Sequence, residues 1–216
     1  MILSAPARSE TVVTVAHGVN GAPTGEQVVS RASCTTNCIT PVAEVLDRRF
    51  GVRQAIMPTV HAYTSSQQLI DGPSTDFRRG RAGAANMIPA STGAALATTK
   101  ALPALAGRFE GVALRVPVPV GSVADVVAVT ARPVTREEVN DAFRDEAAGD
   151  RYRGILGVAD DPVVSADIIG DPRASVVDAG MTRVVDGTLV KVMSWYDNEW
   201  GVCLPDDPGG VRLPGS

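Results

Sequence analysis

Ala32-Ser33-Cys34-Thr35-Thr36-Asn37-Cys38-Ile39-Thr40-Pro41-Val42-Ala43-Glu44-Val45-Leu46-Asp47-Arg48-Arg49-Phe50-Gly51 is the stretch from which the fold is read. Ile39, Val42, Ala43, Val45 and Leu46 recur at helical spacing, with Ser33 placed to cap the start and Gly51 to end the helix. Cys34 then stands at the positive end of the helix dipole, where backbone N–H groups favour a thiolate, the nucleophilic form. Cys38, one turn deeper on the same face, suits a packed, inert thiol; a Cys34/Cys38 redox pair is the alternative. Upstream, Thr11 to Val15 and Gln27 to Val29 read as strands separated by a turn-rich segment, Gly18 to Gly25. Downstream, a strand from Gln54 to Val60 ends at His61. Spacing alone does not prove that Cys34 and His61 meet: in a strand–helix–strand unit the helix start and the end of the next strand are at opposite ends unless a loop returns the chain. A buried small thiol and a satisfied core histidine remain the plain reading of the two residues.

Further along, the polar, Arg- and Gly-rich segment Thr64 to Ala85 lacks periodicity, and a stretch of that length inside a compact domain reads as a functional loop. Thr92-Gly93 opens a second helix running to Leu105, broken by Pro103. Glu110 to Val120 and Val123 to Ala131 read as adjacent strands. Thr135 and Glu138 are spaced as a capping box for a third helix, and Asp186-Gly187 marks a hairpin between Met181–Val185 and Thr188–Ser194. The expected class is α+β: one mixed, largely antiparallel sheet with helices packed on one face. Internal repeats, low-complexity tracts and an interdomain linker are not evident.

Composition narrows the function. The 216 residues are 44% hydrophobic and 20% charged with a net charge of -4, which argues for a globular chain and against disorder. No basic block follows a phosphate backbone or an anionic lipid surface, so neither nucleic acid nor membrane is an expected partner. Apolar runs fall far short of the roughly 20 residues that span a bilayer. Arg8, Ser9 and Glu10 interrupt the only candidate leader. Three cysteines, an odd count, fit a reducing compartment, and a cytoplasmic location is expected. With two histidines and no CxxC or HxxxH pair, no metal site is expected. Hydroxyls at Ser33, Thr35, Thr36, Thr64, Ser65, Ser66, Ser91 and Thr92, an open backbone at Gly93, and guanidinium groups at Arg78, Arg79, Arg81 and Arg115 together suit a phosphorylated small molecule. Arg115 lies between Leu114 and Val116 in an apolar strand, where an unpaired charge is costly.

Five segments in register, Ala32-Ser33-Cys34-Thr35-Thr36-Asn37-Cys38-Ile39-Thr40-Pro41, Thr59-Val60-His61-Ala62-Tyr63-Thr64, Ile88-Pro89-Ala90-Ser91-Thr92-Gly93-Ala94-Ala95, Leu114-Arg115-Val116-Pro117 and Ser194-Trp195-Tyr196-Asp197-Asn198-Glu199-Trp200-Gly201, give a sequence that resembles phosphorylating glyceraldehyde-3-phosphate dehydrogenases from about residue 1 to residue 201. The resemblance implies that enzyme's catalytic-domain fold and its role in central carbon metabolism. It implies that Cys34 attacks the aldehyde of D-glyceraldehyde 3-phosphate with His61 as general base, that hydride passes to NAD or NADP, and that inorganic phosphate releases 1,3-bisphosphoglycerate from the thioester. By the same resemblance Ser33, Thr35, Thr92 and Gly93 hold the attacking phosphate. Thr64, Ser66, Arg115 and, of the adjacent pair Arg78/Arg79, Arg79 hold the substrate's own phosphate. Asn198 and, from the end of a dinucleotide-binding domain, Ser4 touch the cofactor. The loop Ser65 to Ala85 resembles a segment that packs between subunits, which implies a homo-oligomer, a tetramer in the family.

The sequence also departs from the family. Residues 1–33 resemble only the end of a dinucleotide-binding domain and carry no GxGxxG fingerprint. Leu96 occupies the position of a phosphate-site lysine, and Val118-Pro119-Val120 that of Thr-Pro-Asn. After Gly201 an aromatic and a long helix are expected, but Pro205, Pro208, Gly209 and Gly210 break any helical period. The expected division is a remnant at 1–33, a catalytic domain at 34–201 and an atypical, disordered tail at 202–216, as from a truncated or frame-shifted reading of a longer gene. Two alternatives stand beside the triose enzyme: a catalytically silent assembly or interaction module, and an erythrose-4-phosphate dehydrogenase-type enzyme, against which His61-Ala62-Tyr63-Thr64 and Ser91-Thr92-Gly93 speak.

Overall fold

The computed structural model describes residues 1–9, 11–21 and 28–201. The expected tail at 202–216, and Gln27 of the expected second strand, lie outside the described residues.

Helix α1 spans Cys34–Phe50. Ser33 caps it, its Oγ accepting the Thr36 N–H at 3.1 Å. Gly51 ends it at φ +68°, donating its N–H to Asp47 O, and the Asp47 carboxylate accepts the Val52 N–H, so the chain turns sharply into the next strand. That strand is β4, Val52–Ala62; the three short strands before it, β1 (Ile2–Leu3), β2 (Val13–Thr14) and β3 (Val29–Ser30), form a separate parallel sheet in the order β1-β3-β2. The expected mixed, largely antiparallel sheet with helices on one face begins at β4, and these short strands make a second, small sheet beside it.

Spacing left the meeting of Cys34 and His61 open, and the fold brings them together. A helix of 17 residues rises about 25 Å, whereas the ten residues from Val52 to His61 rise about 33 Å as a strand, so β4 runs back past the start of α1. The return that a loop was thought necessary to supply is made by the strand itself, antiparallel to the helix.

The main sheet contains β4, β5 (Ile88–Ser91), β6 (Phe109–Val116), β7 (Ser122–Thr130), β8 (Leu156–Ala159), β9 (Ser175–Asp178), β10 (Arg183–Val185) and β11 (Leu189–Tyr196). Its order is β5-β6-β4-β7-β11-β9-β8, with β10 paired to β11. The β4/β6 and β8/β9 pairs are parallel and the others antiparallel. The strands β6 and β7, expected to be neighbours, flank β4 instead. The link Pro117 to Gly121 crosses the end of β4, a span of about two strand spacings or 10 Å, rather than making a hairpin. Burial explains the insertion: Met57, Thr59 and His61 alternate inward along β4 and are covered by α1, while Ile56 points to the other face and is exposed.

Helix α1 lies across β7, β11 and β9; α2 (Ala94–Ala101) packs on β6 and α3 (Arg136–Ala148) on β8, and both touch α1, so the three share one face. Thr135 and Glu138 form the expected capping box, and Asp186 and Gly187, at φ +49° and +68°, make the expected tight hairpin. A 3-10 turn at Pro103–Leu105 follows α2, as the proline required. The core between helices and sheet is made by Cys38, Ile39, Val42, Leu46, Met57, Phe143, Tyr152 and Tyr196. Within it the Glu44 carboxylate is bonded by Arg48, Arg151 and the Tyr152 hydroxyl, which satisfies a charge that is otherwise costly to bury. No helix among the described residues is long and apolar enough to cross a membrane.

Candidate active site

Three elements converge on one sulfur. The first residue of α1 is Cys34, and the end of β4 brings His61 Nε2 to 3.5 Å from its Sγ. Across the parallel ladder His61 is paired with Arg115 of β6. Arg115 Nη1 approaches His61 Nδ1 at 2.7 Å and also donates to Ala62 O at 2.9 Å. The His61 ring stands edge-on to Tyr196 at the end of β11, with centroids 5.9 Å apart and planes at 72°. The Tyr196 hydroxyl is shared with Thr35 Oγ1 at 2.8 Å and Thr59 Oγ1 at 2.9 Å, forming a buried chain of hydroxyls beneath the nucleophile.

Burial pushes the Cys34 thiol up, against the lowering effect of the Thr35 backbone and hydroxyl and of Arg115. Burial, and then the Arg115 charge, bring His61 down to about 4, against the raising effect of Ala62 O. Burial of Cys34 thus works against the helix start that favours its thiolate. Cys38, fully buried beside Ser175 and Ser194, is pushed up to about 12 and is the inert thiol its position suggested.

The expected anion ligands fall into three places. Ser33 and Thr35 sit beside Cys34, but both hydroxyls are engaged, Ser33 on the Thr36 N–H and hydroxyl and Thr35 on Tyr196. Thr64, Ser66, Arg79 and Arg115 are joined in one chain: Thr64 Oγ1 and Ser66 Oγ are 2.9 Å apart, Arg79 Nη1 donates to Ser66 Oγ at 2.9 Å, and Arg115 Nη1 lies 3.5 Å from Thr64 Oγ1. Arg79, not Arg78, makes the side-chain bond into this group. Arg115 Nε is buried and finds no acceptor among the described residues, which marks a place for an anion. Thr92 and Gly93 stand at the start of α2, where Thr92 Oγ1 accepts the Ala94 N–H and Gly93 caps without a side chain. This helix is tied to α1 by the Thr40/Thr98 hydroxyl pair.

Asn198 is held at the corner between β6 and β7. Its Oδ1 accepts from the Gly121 N–H at 3.1 Å and the Ser122 hydroxyl at 3.0 Å, which turns the NH2 group away as a donor. That orientation fits the carboxamide oxygen of a nicotinamide ring. Ser122 Oγ also accepts the Ala62 N–H at 3.1 Å, linking this corner to the strand of His61. Ser4 follows β1 in the smaller sheet, exposed, and its hydroxyl bonds to nothing among the described residues, so the structure does not bring it to the other site residues. Among the described residues no group of three His, Cys, Asp or Glu could hold a metal ion.

Sequence reasoning assigned no role to Tyr196, Thr59 or Ser122. Tyr196 lies 161 residues from Thr35, and only its inward place in the alternation of β11 signals that its hydroxyl needs a buried partner.

Comparison with known proteins follows the same lines. A family model described as glyceraldehyde 3-phosphate dehydrogenase, C-terminal domain, matches residues 33–198. The chain is 49% identical over 204 residues to glyceraldehyde-3-phosphate dehydrogenase 2 of Streptomyces avermitilis, covering 93% of the chain and 60% of that protein. It is 52% identical over 203 residues to the glyceraldehyde-3-phosphate dehydrogenase of Haloarcula vallismortis, with 93% and 60% covered. Against that of Mycobacterium avium it is 49% identical over 203 residues, with 93% and 59% covered. The chain thus spans about 60% of the length of these curated relatives.

Proposed function

The chain belongs to the glyceraldehyde-3-phosphate dehydrogenase family, and from that premise we propose that it carries the acyl-transfer site for phosphorylating oxidation of D-glyceraldehyde 3-phosphate to 1,3-bisphosphoglycerate. The observation that carries the reading is the Cys34/His61 pair at 3.5 Å with an arginine and hydroxyl clamp one residue away. Cys34 Sγ adds to the aldehyde carbon while His61 Nε2 takes the thiol proton, giving a hemithioacetal; loss of hydride leaves a thioester on Cys34. Inorganic phosphate then attacks the thioester carbonyl and the Cys34 sulfur leaves. Thr64, Ser66, Arg79 and Arg115 hold the phosphate already on the substrate. Ser33, Thr35, Thr92 and Gly93 receive the incoming one, at two helix starts suited to an anion.

NAD or NADP, when bound, supplies the hydride acceptor. Asn198 would hold the carboxamide, a reading supported by its Oδ1 being engaged by Gly121 and Ser122, and Ser4 is assigned to the same cofactor on resemblance alone. The parallel pairing of β1, β3 and β2 suits the edge of a dinucleotide-binding sheet. A homo-oligomer, with cytoplasmic free thiols at Cys34 and Cys38, is part of the same reading; exposed Leu69, Ile70 and Phe77 in the loop after β4 are the apolar surface a second copy would cover.

The reverse half-reaction needs no nicotinamide and tests the proposal directly. Mixed with 1,3-bisphosphoglycerate, the chain should gain one 3-phosphoglyceroyl group on Cys34 with release of inorganic phosphate, read by intact and peptide mass. Cys34→Ala should gain none. A folded chain that remains unacylated at Cys34 would refute the reading.

A further inference from the structure

Two demands meet at the Thr35 hydroxyl. Thr35 follows Cys34 in the first turn of α1, is buried, and is assigned above to the phosphate that attacks the thioester. Its Oγ1 also lies 2.8 Å from the Tyr196 hydroxyl, which lies in turn 2.9 Å from Thr59 Oγ1. A hydroxyl carries one proton and two lone pairs, so one such partner leaves it capacity for another. What the partner removes is rotation. A helical threonine divides between two χ1 rotamers, because its hydroxyl can turn back to a carbonyl of the preceding turn. Thr40 takes that course, donating to Thr36 O at 2.6 Å. For Thr35 the carbonyl four residues back belongs to Arg31, outside the helix, and accepts the Asn37 amide at 2.6 Å. Thr35 is held from across the core instead, by Tyr196.

The hold on Tyr196 is itself firm. Tyr196 ends β11 in register with Ser122 of β7, and its ring is buried edge-on to His61. Thr59 of β4, the second partner of its hydroxyl, donates to Val123 O of β7 at 3.3 Å. Strands β4, β7 and β11 together therefore fix one oxygen beneath the start of α1. Packing does not demand this trio, since apolar side chains of the same shape would fill the space with no buried polar group to satisfy. Its effect is to transmit the position of the sheet to the residue beside the nucleophile.

We propose that Tyr196 is a positioning residue for phosphorolysis: its hydroxyl, anchored on Thr59, selects the Thr35 rotamer that receives the phosphate attacking the Cys34 thioester. This rests on the assignment of Thr35 to that phosphate. In the step served, an oxygen of hydrogenphosphate bonds to the thioester carbonyl carbon and the C–S bond breaks with its electron pair left on Cys34 Sγ. The hydrogenphosphate proton is released and 1,3-bisphosphoglycerate departs. Tyr196 bonds to Thr35 and Thr59 and to none of the reacting atoms, so it governs how well phosphate is held before attack.

The test uses the full chain with the 3-phosphoglyceroyl group on Cys34, loaded from 1,3-bisphosphoglycerate and freed of excess reagent. Loss of the group from the Cys34 peptide is followed by mass at rising concentrations of inorganic phosphate. In the unsubstituted chain the rate should rise with phosphate and saturate. Tyr196→Phe keeps the ring against His61 and removes only the hydroxyl. Its half-saturating phosphate concentration should rise about fivefold, with the limiting rate within about twofold. Thr35→Val should raise half-saturation at least as far, and adding Tyr196→Phe to it should raise it no further, since both act through one hydroxyl. An unchanged half-saturation in Tyr196→Phe overturns the proposal and leaves the phosphate assignment standing. So does a shift that adds to that of Thr35→Val, or an effect confined to the limiting rate. An unsubstituted chain that cannot be loaded on Cys34, or that sheds the group at a rate indifferent to phosphate, refutes the underlying assignment and the proposal with it. Should Tyr196→Phe fail to fold, Thr59→Val decides: it removes the anchor of the Tyr196 hydroxyl and should shift half-saturation in the same direction, and no shift overturns the proposal.

Discussion

Strand β4 and the loop that follows it are neighbours in sequence and are held by opposite means. Along β4, Met57, Thr59 and His61 are buried between α1 and two ladders, at 0%, 1% and 4% exposure. The loop from Tyr63 to Met87 has no regular element among its residues and is tied by polar contacts to itself. The Asp71 carboxylate takes Arg81 on one oxygen and the Ala82 N–H on the other, and the Gly72 N–H donates to Gly80 O. The nucleophile and its base are thus fixed by exclusion of water, while half of the anion clamp is fixed by exposed charges that salt screens. Arg115 belongs to the first region and reaches into the second.

The contrast is sharpest for Met57→Ala. Truncating a fully buried side chain in β4 should cost about 3 kcal/mol, lowering the urea midpoint of the whole chain. A change below about 1 kcal/mol would mean the strand is not packed as described. Next in size is the pH dependence of His61. A folded value of about 4 against 6.5 for a free histidine means the unfolded chain binds more protons between those values, so stability falls as pH drops from 6.5 to 4, by about 3 kcal/mol at most. The difference in urea midpoint between the unsubstituted chain and His61→Gln, measured at pH 7.5 and 4.5, should shrink or invert at the lower pH. A constant difference would say that His61 titrates as if in water. The smallest effect belongs to the loop: Asp71→Ala should leave the urea midpoint of the whole chain essentially unchanged, since both partners are exposed. It should nevertheless accelerate proteolysis between residues 63 and 87. Global destabilisation as large as that of Met57→Ala would erase the distinction between the two regions.

The sequence was most legible where the signal is local. Ser33 and Gly51 bound α1, Thr135 with Glu138 starts α3, and Asp186-Gly187 turns β10 into β11, because each is a side chain or backbone meeting its own neighbours. Pairing over distance was not legible. The placing of β4 between β6 and β7 depends on which edges bury Met57 and Thr59, and nothing in the spacing of Glu110 to Ala131 records that a third strand lies between. The Cys34/His61 meeting could not be proved from spacing for a related reason: the unequal rise of helix and strand, not a loop, returns the chain. The burial that opposes the helix dipole at Cys34 was not legible either, since only a packed structure supplies it. Tyr196, the residue that links Thr35 to Thr59, was present in a quoted motif yet carried no role, because its partners are 137 and 161 positions away.

The position of β11 has a consequence for synthesis. It lies between β7 and β9, although β7 is complete at Thr130 and β11 begins only at Leu189. As the polypeptide leaves the ribosome, α1 and strands β4, β6 and β7 can assemble early, but one edge of β7 then waits, its backbone groups open to any passing strand, while the intervening chain is translated. The last residue to enter that seam is Tyr196, whose hydroxyl bridges Thr35 and Thr59. A nascent chain therefore displays its reactive sulfur before it owns the hydroxyl beneath it, and the chemistry of Cys34 matures only when nearly all of the described sequence has emerged.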